Sequence, residues 1–122
     1  MEEKLILPGI VKMNEYYRKA SVFALTSYHE SFSLVAVEAL ACGLPVVSFE
    51  LPCVKELFEG DATLIAPQGD INKFADNLRI LFESREKLQE MSKEAIVASK
   101  KYSISKIAEK WKKLFEKLLS KD

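Results

Sequence analysis

Histidine and cysteine are nearly missing from this chain, which holds one histidine and two cysteines in 122 residues. His29, Cys42 and Cys53 make a poor ligand set, and the two thiols lack the Cys-x-x-Cys spacing of a redox pair or zinc knuckle. No metal and no cofactor are expected, and the thiols fit a reducing compartment. An excess of charge is missing too: 18 Lys and Arg balance 18 Asp and Glu, so no net field draws nucleic acid. Long apolar runs are absent. The N-terminus, Met1-Glu2-Glu3-Lys4, reaches Pro8 and Gly9 after only three apolar residues, which is neither a signal-peptide core nor a membrane span. A cytoplasmic chain is the expectation.

What is present is the composition of a folded domain. Hydrophobic residues at 48% and charged residues at 30% keep the chain away from the polar, highly charged corner where disorder lies. The length suits one domain over residues 1–122. Short apolar runs at Leu5–Leu7, Val22–Thr26, Pro45–Phe49 and Ala62–Ala66 alternate with helical patterns at Asn14–Ala20, Ser33–Cys42 and Val54–Phe58. Breakers punctuate them: Pro8-Gly9 after the first run, Gly43 before the third, Pro67 to Gly69 after the fourth. That rhythm predicts an α/β fold, a three-layer Rossmann-like parallel sheet of about four strands with a helical C-terminal half.

In that C-terminal half, apolar residues recur at three and four. Phe74, Leu78, Leu81 and Phe82 share one face, with Asp76, Asn77 and Arg79 elsewhere, on a helix capped near Asp70. A second helix is predicted over Glu86–Lys101 and a third over Ser105–Leu119. The third carries Ile107, Trp111, Leu114, Phe115 and Leu118 on one stripe. Its opposite face holds Lys106, Lys110, Lys113 and Lys117, a solvated face that also admits contact with a membrane surface.

The chemistry concentrates in Ser27 to Val47, which reads as a loop, a helix N-terminus and then a strand. In an open parallel sheet, ligands sit outside the carboxyl ends of the strands, where the loop after Thr26 opens. A helix beginning near Ser33 aims unpaired N–H groups and the positive end of its dipole there, and phosphate is the natural guest. Glu30 in the loop and Glu38 in the helix would repel a phosphate but accept hydrogen bonds from hydroxyls. A diphosphate flanked by a ribose and a hexose satisfies both demands.

Two glutamates separated by seven residues and followed by Ala39-Leu40-Ala41-Cys42-Gly43-Leu44-Pro45-Val46-Val47 closely resemble the donor-site motif of family 4 (group 1) glycosyltransferases, which have the GT-B architecture. The resemblance runs over nearly the whole chain. Pro8-Gly9-Ile10-Val11 is similar to the strand and loop before the family's tyrosine-bearing helix, where Tyr16 and Tyr17 fall. Pro67-Gln68-Gly69-Asp70 is similar to the turn before its next helix, and Lys101-Tyr102-Ser103 to the lead-in to its last.

That resemblance implies that Glu38 binds the ribose hydroxyls and that Glu30, the catalytic candidate, contacts the transferred sugar. Donor-binding amides are implied around Phe32, Ser33 and Leu34, with Ser31 beside them. It implies a retaining transferase that takes a nucleotide sugar, most often a UDP-linked hexose, and breaks the sugar–phosphate bond without a metal ion. It also implies an acceptor, unknown here, held by an N-terminal domain. The Gly-rich turn and basic pair that precede the pattern in the family have no counterpart before it, and Arg18 and Lys19 read as solvated charges. The expectation is therefore most of a C-terminal donor-binding domain, N-terminally truncated and inactive alone, its other half on another chain or a longer protein.

The chain departs from the family at Ser33, where glycine is usual, at Pro52-Cys53 in place of a glycine pair, and at Thr26 in place of proline. His29 reads as an exposed loop residue, Cys42 as a small core residue, Cys53 as a loop thiol open to exposure but without a neighbouring base to make it a nucleophile, and Glu56 as a helix-surface carboxylate. Trp111 reads as core or as part of a helix closing across two domains. Two rival functions remain: a nucleotide-sugar 2-epimerase, whose carboxylate and histidine set is not visible, and a non-catalytic binding or assembly module that kept the fold.

Overall fold

The computed structural model describes residues 4–57 and 60–120, without the side chains of Glu56 and Leu57. The elements run α1 (Met13–Tyr17), β1 (Phe23–Leu25), α2 (Leu34–Ala41), β2 (Val46–Phe49), α3 (Pro52–Leu57), β3 (Thr63–Ala66), α4 (Ile71–Glu83), α5 (Arg85–Ser99), a 3-10 turn at Lys100–Tyr102 and α6 (Ile104–Leu119). The strands form one parallel sheet in the order β1-β2-β3, with Phe23 opposite Val46 and Val46 opposite Thr63.

The central strand sets the layers. All four residues of β2 are buried, as a strand covered on both faces requires. Successive side chains point to opposite faces, so Val46 joins Ala36 and Leu40 of α2 and Val54 of α3, whereas Val47 and Phe49 join Phe74 and Leu81 of α4. Helix α5 reaches both clusters, placing Ala95 in the first and Met91 in the second. Truncating a fully buried side chain such as Leu40 or Leu81 to alanine would cost about 2–5 kcal/mol.

The helix ends follow local chemistry. The Asp70 carboxylate accepts from the Lys73 amide at 2.8 Å, and the Ser84 hydroxyl from the Lys87 amide at 3.1 Å. Helix α2 stops in a Schellman arrangement: the Gly43 amide donates to Leu40 O at 2.9 Å and the Leu44 amide to Ala39 O at 3.0 Å. Gly43, at φ 76°, supplies the left-handed residue this needs.

Several sequence expectations need correction. Leu5–Leu7 is not a strand; these residues are 69–83% exposed and pair with no neighbour in the sheet, which among the described residues has three strands rather than about four. Asn77 is buried and Phe82 is 69% exposed, the reverse of their expected places on α4. Cys42 is exposed at the C-cap of α2, whereas Cys53 is buried in α3. Trp111 is 55% exposed, and α6 buries no residue. Phe58, the expected end of the third helix, and the Glu56 side chain lie outside the described residues. Among the described residues, no helix is long and apolar enough to cross a membrane.

Candidate functional site

The loops that follow all three strands meet at the carboxyl edge of the sheet. Tyr28, after β1, stacks on Phe49 at the end of β2, with ring centroids 5.7 Å apart. Gln68, after β3, donates its side-chain amide to the Tyr28 carbonyl at 2.7 Å. These contacts shape a hollow of about 400 Å³ lined by Tyr28, His29, Glu30, Ser31, Leu51 and Pro52. An open parallel sheet offers its ligand site at this edge. The Glu30 carboxylate is held there by the Ser27 hydroxyl, which donates to Oε1 at 2.8 Å.

Glu38 belongs to a second hollow, of about 440 Å³, whose other walls are Lys12, Met13, Asn14, Glu15 and Arg18. Both cations are exposed, yet Arg18 sits beside the Glu38 site rather than away from it. Glu38 does not stand alone. The Tyr17 hydroxyl lies 3.2 Å from its Oε2 and equally 3.2 Å from the Val35 carbonyl, so its one proton is shared between the two acceptors. Burial first, and then the adjoining Glu38 carboxylate, push the Tyr17 phenol up from 10.0 to about 12.

Between the two glutamates lies the start of α2. Ser33 is its N-cap residue, with φ 59° and ψ 68°, the left-handed conformation that a β-carbon disfavours. Ser33 is the single non-glycine residue of positive φ among those described, and its buried hydroxyl has no hydrogen-bond partner. Its carbonyl accepts from the Ala36 amide at 3.1 Å and the Val37 amide at 3.3 Å. The amides of Leu34 and Val35 have no acceptor inside the helix, which makes this end electropositive. Phe32 leans edge-on against Tyr102 at 5.6 Å, fixing the approach to the helix.

The structure thus places Glu30 and Ser31 around one hollow and Glu38 in another, and Phe32, Ser33 and Leu34 line neither. His29 is exposed on the rim. Among the described residues, no three of His, Cys, Asp and Glu converge to hold a metal. A larger hollow of about 530 Å³ is lined by Ser84 and α5 side chains between Glu86 and Glu94 and holds none of these groups. Sequence reasoning missed Tyr17 as a neighbour of Glu38. Its adjacent tyrosine, Tyr16, is 42% exposed, and nothing local distinguishes the two.

The parallel sheet with helices on both faces and a helix N-terminus at its carboxyl edge has the form of one domain of a GT-B fold. It matches sucrose-phosphate synthase from Thermosynechococcus elongatus with a TM-score of 0.80 at 26% identity, over 88% of this chain and 27% of that one. The chain belongs to the family described as Glycosyl transferases group 1, whose sequence model matches residues 1–98. It is 34% identical over 108 residues to an uncharacterized glycosyltransferase of Haemophilus influenzae, across 87% of this chain and 31% of that protein. It is 30% identical over 122 residues to an alpha-galactosylglucosyldiacylglycerol synthase of Streptococcus pneumoniae, across 94% and 31% respectively. With a D-inositol 3-phosphate glycosyltransferase of Kribbella flavida the identity is 37% over 90 residues, covering 73% of this chain and 20% of that protein. The chain therefore spans under a third of the length of each of these relatives.

Proposed function

We propose that this chain furnishes the donor half of a retaining glycosyltransferase, binding a nucleotide sugar whose sugar is a hexose and whose nucleotide is UDP. The observation that carries the reading is the arrangement around the start of α2. One electropositive helix end is flanked in sequence by two carboxylates, Glu30 and Glu38, each held by a neighbouring hydroxyl. A phosphate suits the helix end, and sugar hydroxyls suit the carboxylates. Glu38 would take the ribose, and Glu30 the transferred hexose in the hollow shared with Ser31.

Transfer breaks the bond between the anomeric carbon and the terminal phosphate oxygen, on which negative charge builds. The α2 amides around Phe32, Ser33 and Leu34 would stabilise that charge without a metal ion. The acceptor oxygen then bonds to the anomeric carbon, and its proton leaves with the departing diphosphate. The acceptor itself would be held by an N-terminal domain or a partner chain, and the reaction would take place in the cytoplasm.

Ligand-observed NMR on this chain with UDP, GDP, ADP and their sugar conjugates tests the donor reading. Saturation transfer to one nucleotide, lost in Glu38→Ala, is the expected result and names the base. Absence of binding to all of them by a folded chain would sink the reading in favour of a module without a donor site.

A further inference from the structure

We propose that Tyr17 is a positioning residue for donor binding, fixing the Glu38 carboxylate through its hydroxyl so that the carboxylate meets the ribose already oriented. The inference rests on the reading of Glu38 as the ribose acceptor, and it adds a residue from a different helix to that site.

Tyr17 is 3% exposed, and its ring packs edge-on against Phe23 at 6.2 Å within a cluster that includes Ala39 and Leu44. The ring is therefore fixed by the core, and its hydroxyl is delivered to one place. Glu38, by contrast, is an exposed side chain on a helix surface. Left alone, such a side chain keeps its rotamer freedom and loses it when a ligand immobilises it. A buried phenol donating to Oε2 at 3.2 Å removes part of that freedom before the ligand arrives.

A tyrosine merely satisfying its own hydroxyl is the simpler alternative, and the Val35 carbonyl at 3.2 Å offers it an acceptor. That carbonyl, however, lies within α2 and already serves the helical ladder. The carboxylate is the stronger acceptor, because a hydrogen bond to an ionised group is about twice as strong as a neutral one. The raised affinity of the phenol for its proton agrees with a donor that stays protonated beside an anion. The contact also ties together the two elements that wall one hollow: α1 supplies Met13, Asn14 and Glu15 to it and α2 supplies Glu38, while Tyr17 reaches Glu38 from the buried side of α1.

The test is a double-mutant cycle on the folded chain, read as dissociation constants for whichever of UDP, GDP and ADP binds best and for its 2′-deoxy and 3′-deoxy forms. Tyr17→Phe keeps the ring and removes the hydroxyl. It should weaken the ribonucleotide by about fivefold to tenfold, weaken the deoxy form lacking the Glu38 contact little, and add nothing in a Glu38→Ala background. Should Tyr17→Phe fail to fold, Glu38→Asp retracts the carboxylate from the phenol while keeping its charge, and should show the same loss of discrimination between ribose and deoxyribose. Glu38→Ala without effect would overturn the ribose reading and this inference together. Loss in Glu38→Ala with wild-type affinity in Tyr17→Phe, or in Glu38→Asp, would overturn the positioning role alone.

Discussion

The Ser92 hydroxyl donates a 2.7 Å hydrogen bond to the Gly43 carbonyl, 49 residues earlier in the chain. Gly43 ends the helix that begins at Ser33, so this bond ties the far end of α2 to α5. A β-carbon at Gly43 would sit 3.2 Å from Ser92 Oγ and 3.4 Å from the Ile96 side chain, on a backbone already at φ 76°. Gly43→Ala should therefore lower stability by about 1–2 kcal/mol through backbone strain, with crowding adding to it. Urea unfolding followed by circular dichroism reads the change. In a Ser92→Ala background the closest contact disappears, so the additional loss from Gly43→Ala should shrink; an equal loss in both backgrounds would assign the whole effect to the backbone.

Ser33 shows the opposite case, a left-handed residue that is not glycine. Its strain of about 1–2 kcal/mol adds to the desolvation of a buried hydroxyl with no partner. Ser33→Gly removes both, at the expense of a more flexible unfolded chain, which takes back about 0.5–1 kcal/mol. A net gain of about 1 kcal/mol is expected, seen as a higher denaturant midpoint at unchanged slope. A lower midpoint would show that Ser33 makes a stabilising contact in solution.

The legible parts of the fold were those where local pattern and tertiary demand agree. Pro45 to Phe49 reads as a strand from its apolar run after Gly43, and Asp70 reads as a cap; the strand forms over Val46–Phe49 and Asp70 caps α4. Leu5–Leu7 has the composition of a strand, but a strand exists only by pairing, and among the described residues none pairs with it. Asn77 lies three residues from Phe74 and four from Leu81, so periodicity alone puts it on the buried face; its polarity argued otherwise and was overridden by packing. The same periodicity places Cys42 off the face of Ala36, Ala39 and Leu40. At the candidate site, Glu30 and Glu38 are singled out by a motif in the sequence. The contact of Tyr17 with Glu38 is not legible there, since 21 positions separate the two and only the folded chain brings them together.

Tyr17 also predicts a stability change at alkaline pH. Its phenol is raised in the folded chain from 10.0 to about 12, so below pH 10 both states keep the proton and stability is complete. Between those values the unfolded chain releases the proton and the folded chain does not, so stability falls as pH rises. Above about 12 the full difference, roughly 2–3 kcal/mol, has been lost. Urea unfolding at a series of pH values should show this decline in the wild type and a shallower one in Tyr17→Phe. Equal slopes in the two proteins would contradict the assignment.

Helix α6 should be nearly independent of the rest of the chain in stability. It buries no residue, its stripe leaves Trp111 55%, Phe115 55% and Leu118 54% exposed, and its ion pairs, Lys113 with Glu109 and Lys112 with Glu116, lie within the helix. Exposed pairs of this kind add only about 0.3–0.5 kcal/mol each, and a helix this short is marginal when unpacked. Trp111 is the chain's one tryptophan, so its fluorescence reports on α6 alone. Its emission should resemble that of solvated indole and stay nearly constant through the urea transition that circular dichroism detects. Removing residues 104–122 should leave the midpoint of that transition almost unchanged. Blue-shifted emission that becomes more pronounced with protein concentration would instead mean that the stripe is covered by a second copy, and the truncation should then abolish the association.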